Sequence, residues 1–405
     1  MSSSEWPKFN GLRFDSELKS FNEIISLFIS SAERAKTSGR KIIAKAPQCP
    51  TEPIYAVGAL AYEPHTHETT RHLLTEEDLK LTSKAVDAGL SPDFNLWNLL
   101  TAGAVVSAKN EVAVDAYTNA CGCFDDQLKN TWKLMAGTAG VPLFFWDIPR
   151  FDTESVEWSI GYLIRELKQL FSWLAVQTGI EVTEHSLAES IKLGNLIRQD
   201  MLEITQMLQL PNVPVSALEY YLAQSMIDDY AQDPEMLHDR FAVLLQELKE
   251  RSSQLVSAPG ISGKPLRIFF MGEETPELRI WNALEDCGGV LVGCDTRLSM
   301  YYKTILESGT AIENLAQWIW RMPCNLPVAD RIKSTIEFIR QQKADAIIIN
   351  TLVGSNNIPN TERYVQDIIK TELGLPVLYL ETLQTIENSK RYEKQIKAFI
   401  EKNSG

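Results

Sequence analysis

Apolar positions along the chain follow two rhythms. Helical spacing at Leu18, Phe21, Ile24, Ile25, Phe28 and Ile29 predicts a helix over 14–40, closed by a turn at Ser38-Gly39. A short helix over Tyr55–Leu60 would turn Ile54, Val57 and Leu60 inward. A polar helix over 76–88 would end at Gly89, and the loop from Ser91 would run into another helix by 103. From 155 to about 255 the pattern is helical throughout, in four pieces. The second of these opens on Ser186 with Glu189 three residues on, a capping-box spacing.

The other rhythm is short and continuous. Apolar runs at 112–116, 141–149, 266–272, 290–295, 344–350 and 375–382 predict strands, with helices before and after most of them. Continuous rather than alternating runs suit parallel strands covered on both faces. The pattern therefore predicts an α/β protein with two Rossmann-like parallel-sheet domains joined by a helical segment. The N-terminal domain is placed at 1–154, the helical connector at 155–260 and the C-terminal domain at 261–405. The last boundary falls in APGISGKP (258–265), where Gly and Pro concentrate.

Composition narrows the chemistry. A net charge of −14 disfavours nucleic acid as a partner, because phosphate contacts need a basic face. No apolar stretch reaches the roughly 18 residues of a membrane span, and the N-terminal residues lack a signal-peptide layout, so the expectation is a cytoplasmic protein. The six cysteines form no disulfide framework, which suits a reducing compartment. Neither a Rossmann GxGxxG, a Walker loop nor a GxSxG elbow is present.

Three places could carry chemistry. In Val112–Trp132 a strand runs into a turn bearing Cys121 and Cys123, followed by a helix with Asp125 and Asp126 in its first turn. The two cysteines are equally read as small buried fillers. The cluster HTHETTRH offers His65 and His67, with Glu68 or His72 to complete a metal site, or else a solvated loop. Glu52, between Pro50 and Pro53, is either a helix-start residue or a carboxylate held for proton transfer.

Taken in order, several segments resemble the 2-hydroxyacyl-CoA dehydratase and benzoyl-CoA reductase family. Pro50-Thr51-Glu52-Pro53-Ile54-Tyr55-Ala56-Val57-Gly58 is similar to its early P-x-E motif. The turn at Gly122-Cys123-Phe124, followed by Val141-Pro142 and Ile148-Pro149, resembles its strand, cysteine turn and second strand. Ala344–Asn350, Gly374-Leu375-Pro376 and Glu381-Thr382 resemble its closing pattern.

The resemblance implies a subunit of a heteromeric acyl-CoA dehydratase or reductase of radical type, as found in anaerobic metabolism. It implies an acyl-CoA substrate, a related cluster-bearing sister subunit as partner in a heterodimer, and an ATP-dependent activator that supplies the electron. It also implies a [4Fe-4S] cluster held by three cysteines. Here those positions carry Asn95, Cys123 and Ser355, so the cluster is expected on the partner, with Cys123 the one possible ligand that remains. Glu52 is the carboxylate that the motif places near the pocket. The alternatives are a non-catalytic binding or assembly subunit that has lost the cluster, and a metal-dependent enzyme using His65 and His67.

Overall fold

The computed structural model describes residues 12–15, 17–47, 49–70, 80–108, 112–121, 126–148, 155–275, 277–296, 303–355, 362–382 and 389–404. In chain order its elements are α1 (Lys19–Ile29), α2 (Ser31–Thr37), β1 (Ile42–Lys45), α3 (Glu52–Ala56), β2 (Leu60–Tyr62), a π-helical turn (His65–Thr69), α4 (Leu81–Asp87), α5 (Leu96–Val106), β3 (Ala116–Cys121), α6 (Asp126–Ala139) and β4 (Leu143–Asp147). The helices α7 (Val156–Thr178), α8 (Glu184–Met207), α9 (Ala217–Ser225) and α10 (Pro234–Ser253) follow. The chain then runs through β5 (Leu266–Gly272), α11 (Arg279–Asp286), β6 (Gly289–Asp295), α12 (Ala311–Trp320), α13 (Val328–Gln342), β7 (Ala346–Leu352), α14 (Glu362–Leu373), β8 (Val377–Thr382) and α15 (Ser389–Asn403).

The strands make two four-stranded sheets, ordered β2-β1-β3-β4 and β6-β5-β7-β8. Every pairing in them is parallel. These are two Rossmann-like domains with the same strand order. Their central strands are buried along their length, as in Ile347, Ile348 and Ile349 of β7, because helices cover both faces. The edge strand β4 is mostly half-buried, although it too is apolar.

Several local expectations shift. The predicted helix over 14–40 is two helices, and its last residues are the approach to β1, a strand the apolar rhythm did not single out. Only four residues long, β1 gives no periodicity to read. The strand expected at 112–116 begins instead at Ala116. Asp115 stops it from starting earlier by turning its carboxylate back on the Ile42 backbone N–H (2.9 Å) and on Lys41 (2.6 Å). The short helix begins at Glu52 and ends by Ala56, with Pro53 in its first turn, so Leu60 belongs to β2. The cap of α8 is Thr183 rather than Ser186: Thr183 Oγ1 accepts the Ser186 N–H at 3.0 Å and Ser186 Oγ accepts the Thr183 N–H at 3.0 Å.

Candidate functional site

In both sheets the strand order reverses between the two central strands, and this switch point is where open parallel sheets leave a crevice beyond their strand tips. In the second domain those tips are closed by a short network. Gly272 ends β5 at φ +103°, where a Cβ would collide with the Asn350 carbonyl. The Glu273 N–H donates to Asn350 O (2.9 Å), and Asn350 Nδ2 returns a bond to Glu273 O (2.8 Å). After β7 the chain turns at Gly354, the Ser355 N–H donates to Leu352 O (3.0 Å), and Ser355 Oγ donates to the Glu273 carboxylate (2.8 Å).

In the first domain the start of α5, which precedes β3 in the chain, is tied to this turn. Asn95 is its N-cap, with ψ of 156° and Oδ1 accepting the Asn98 N–H at 3.0 Å. The Asn95 backbone N–H donates to Gln127 Oε1 (2.8 Å), and Gln127 Nε2 donates across to the Gly354 carbonyl (2.6 Å). One glutamine on α6 thus ties the cap of α5 in one domain to the turn carrying Ser355 in the other. Asn95, Gln127 and Ser355 are all buried. Cys123 lies outside the described residues, in the segment between β3 and α6.

Two further groups sit at the first domain's strand tips. Lys45 closes β1 with its side chain buried, and the Ala46 carbonyl, at 3.5 Å, is its partner among the described residues. Cys49 is buried beside β3, accepting the Ala120 N–H at 3.2 Å. Burial pushes its thiol up to about 11, so it stands as a neutral thiol.

Glu52 is completely buried. Its Oε1 forms an ion pair with Arg198 of α8 and accepts a 2.7 Å hydrogen bond from the Tyr230 hydroxyl. Burial by itself would raise this carboxyl. The charge and hydrogen bond of Arg198, with the Tyr230 bond, outweigh it and hold the pKa below the ordinary carboxylate value. Gly194 makes the arrangement possible: a Cβ there would lie 2.5 Å from Tyr230 Oη, 2.8 Å from Arg198 Nη1 and 3.0 Å from Glu52 Oε1. The guanidinium also lies over the Trp318 ring of the C-terminal domain, 4.9 Å from its centroid. One helical turn away, Asn195 holds the Ile305 backbone by both its amide atoms (2.7 and 2.8 Å).

His65 and His67 are neither in a solvated loop nor paired at one site, and His72 lies outside the described residues. The segment His65–Thr69 is buried along its whole length. His65 stacks on Trp132 (4.9 Å between ring centroids, 6° between planes), with Nε2 at 3.1 Å from Asn98 Oδ1. His67 stacks on Phe28 instead, at 4.6 Å, with Nε2 at 2.7 Å from Asp229. The rings thus face different elements, although as neighbours on a strand they would have shared a face. Among the described residues no group of three His, Cys, Asp or Glu side chains is placed to hold a metal ion.

Sequence reasoning did not find Gln127, Arg198, Tyr230 or Lys45. Arg198 did leave a signal, being a cation on the apolar stripe Leu187, Ile191, Gly194, Met201 of α8. Gln127 left none, since a polar residue in a first helical turn is ordinary.

Paired parallel sheets whose tips meet across a junction define an α/β protein of the switch-point class. The family described as 2-hydroxyglutaryl-CoA dehydratase, D-component, matches residues 48–403, and the chain belongs to that family. No curated protein matches it. Among the described residues no helix is long and apolar enough to cross a membrane.

Proposed function

We propose that this chain is one subunit of a heteromeric acyl-CoA dehydratase of the radical type. On this reading a related partner subunit carries the [4Fe-4S] cluster, and an ATP-dependent activator delivers the electron. Family membership supports the class of enzyme. The observation that carries the division of labour is the junction Asn95–Gln127–Gly354, together with Ser355–Glu273. Iron–sulfur clusters call for thiolates, which are soft, anionic ligands. At these two positions stand an amide already spent on capping α5 and a hydroxyl already donating to a carboxylate. This donor set does not fit the cluster.

What the chain would supply is shape and charge. The strand tips would wall one side of an acyl-thioester pocket shared with the partner. Lys45, a buried cation at the tip of β1, would favour negative charge developing nearby. Glu52 would reach a substrate proton only on leaving Arg198, because an ion-paired carboxylate of depressed pKa is a weak base. That pairing is the specific support for a second reading, in which this chain is a non-catalytic binding or assembly subunit.

Co-expression with a three-cysteine sister subunit, under anoxic conditions, tests both. The first reading expects a stable complex in which Lys45→Met lowers turnover at least tenfold while the iron content stays constant. Turnover unaffected by Lys45→Met and by Glu52→Gln would leave the assembly role. Failure to form any complex would defeat both.

A further inference from the structure

A cavity of about 770 Å³ opens between α2, α3, the first turns of α8 and the start of α10. It lies toward the N-terminal ends of β1 and β2, where Arg40 and Leu60 line it, and therefore away from the strand tips described above. Its volume falls in the range of small-molecule sites. Its wall includes Tyr230 and Gln232, which belong to three consecutive residues in the left-handed region: φ is 59° at Tyr230, 47° at Ala231 and 62° at Gln232. None of the three is a glycine, so the backbone here is strained, a condition that persists where surrounding structure enforces it and that gathers at ligand sites.

Gln232 is 5% exposed, yet neither its amide oxygen nor its amide nitrogen has a hydrogen-bond partner among the described residues. Buried amides without partners are rare in folded proteins. Beside it, Arg34 donates to the Ala231 and Leu27 carbonyls and to Ser30 Oγ, and its Nε is left without a partner. Arg40 donates to the Gly58 and Ala59 carbonyls. Among the described residues both guanidinium groups are therefore hydrogen-bonded by neutral oxygens, and the Asp233 and Asp229 carboxylates act on Arg34 at longer range, without a direct ion pair. The carboxylates of the lining are Glu189 and Glu235, on the exposed rim, and Asp233, which is occupied in capping α10 through the Met236 N–H (3.2 Å).

We infer that this cavity binds a small organic anion. A carboxylate or phosphate group would lie against Arg34 and Arg40, and a neighbouring polar group of the ligand would meet the Gln232 amide. Tyr55 and Tyr230, whose rings are stacked 5.9 Å apart, would flank its body. Because the Tyr230 hydroxyl also donates to Glu52, such a ligand would be one residue away from the buried ion pair.

Titration calorimetry of the full chain with citrate and with adenosine 5′-diphosphate, as carboxylate and phosphate probes, tests the inference. Saturable binding of either probe is expected, and the one that binds identifies the anionic group. Arg34→Gln and Gln232→Leu should each weaken it about tenfold or more, while Trp158→Ala, exposed and absent from the cavity wall, should leave it unchanged. Circular dichroism and unliganded Tm establish that each variant is folded. Should Arg34→Gln fail to fold, the exposed Arg40→Gln takes its place. Absence of saturable binding by both probes, or binding that Arg34→Gln, Arg40→Gln and Gln232→Leu leave intact, would overturn the inference.

Discussion

Two buried polar regions tie the N-terminal domain to the rest of the chain, one to the helical connector and one to the C-terminal domain, and they do so by opposite physics. Around Glu52 the join is ionic: a carboxylate with no exposed surface, a guanidinium almost as buried, and a phenol that donates to the carboxylate. At the strand tips it is neutral, an amide bridging a backbone N–H and a carbonyl. Breaking an ionic join strands a charge in a low-dielectric interior, whereas breaking a neutral one strands only dipoles. The ionic region is thus fixed by necessity. The neutral one adjoins Asn95 and Ser355, the positions where the family resemblance expects thiolates.

The sharpest way to break this comparison is Arg198→Met. It leaves Glu52 buried without its cation and should cost about 3–5 kcal/mol in chemical denaturation, while Glu52→Gln with Arg198→Met should cost markedly less. Equal losses for single and double variants would show that the pair is not the source.

Acidity sharpens the contrast. Glu285 is another buried carboxylate beside an arginine, but its partner Arg13 is 31% exposed and shared with Asp286. Burial outweighs that weaker partner, with nearby Glu219 adding to it, and Glu285 is pushed up to about 7 against an ordinary 4.5. Folding then favours the protonated form. Its contribution is fully present below about pH 4.5 and is lost as pH rises through about 7, on the order of 3 kcal/mol in all. Glu52 has the reverse sign: its depressed pKa contributes stability above the ordinary carboxylate range, lost as pH falls through the folded value. Stability measured from pH 4.5 to 7.5 should decline in the wild type and decline less steeply in Glu285→Gln, the remaining slope coming from Glu219 and Asp200, which burial also raises.

The smallest effect is expected at the neutral join. Gln127→Leu leaves the Asn95 N–H and the Gly354 carbonyl without their bridge, for about 1–3 kcal/mol of stability. A loss as large as that of Arg198→Met would erase the distinction between the two regions.

How far the sequence reached follows the same division. The long central strands and amphipathic helices, from β5 to α15, were readable because continuous apolar runs and 3.6-residue spacing are local signals. β1 and β2, four and three residues long, carry too few positions for any period. The histidine segment misled because its polarity is satisfied by tertiary partners, Asn98, Asp229 and two aromatic faces, that no local window contains. Asn95 and Ser355 were singled out by resemblance alone. That Gln127 would connect them depended on a pairing between residues 227 positions apart.

Iron and acid-labile sulfide, measured on the separately purified chain after anoxic preparation and reconstitution, bear most directly on the central claim. The account predicts substoichiometric iron, unchanged by Cys123→Ser and raised when Asn95→Cys and Ser355→Cys are introduced together. Stoichiometric iron in the wild type, with its colour abolished by Cys123→Ser alone, would contradict it.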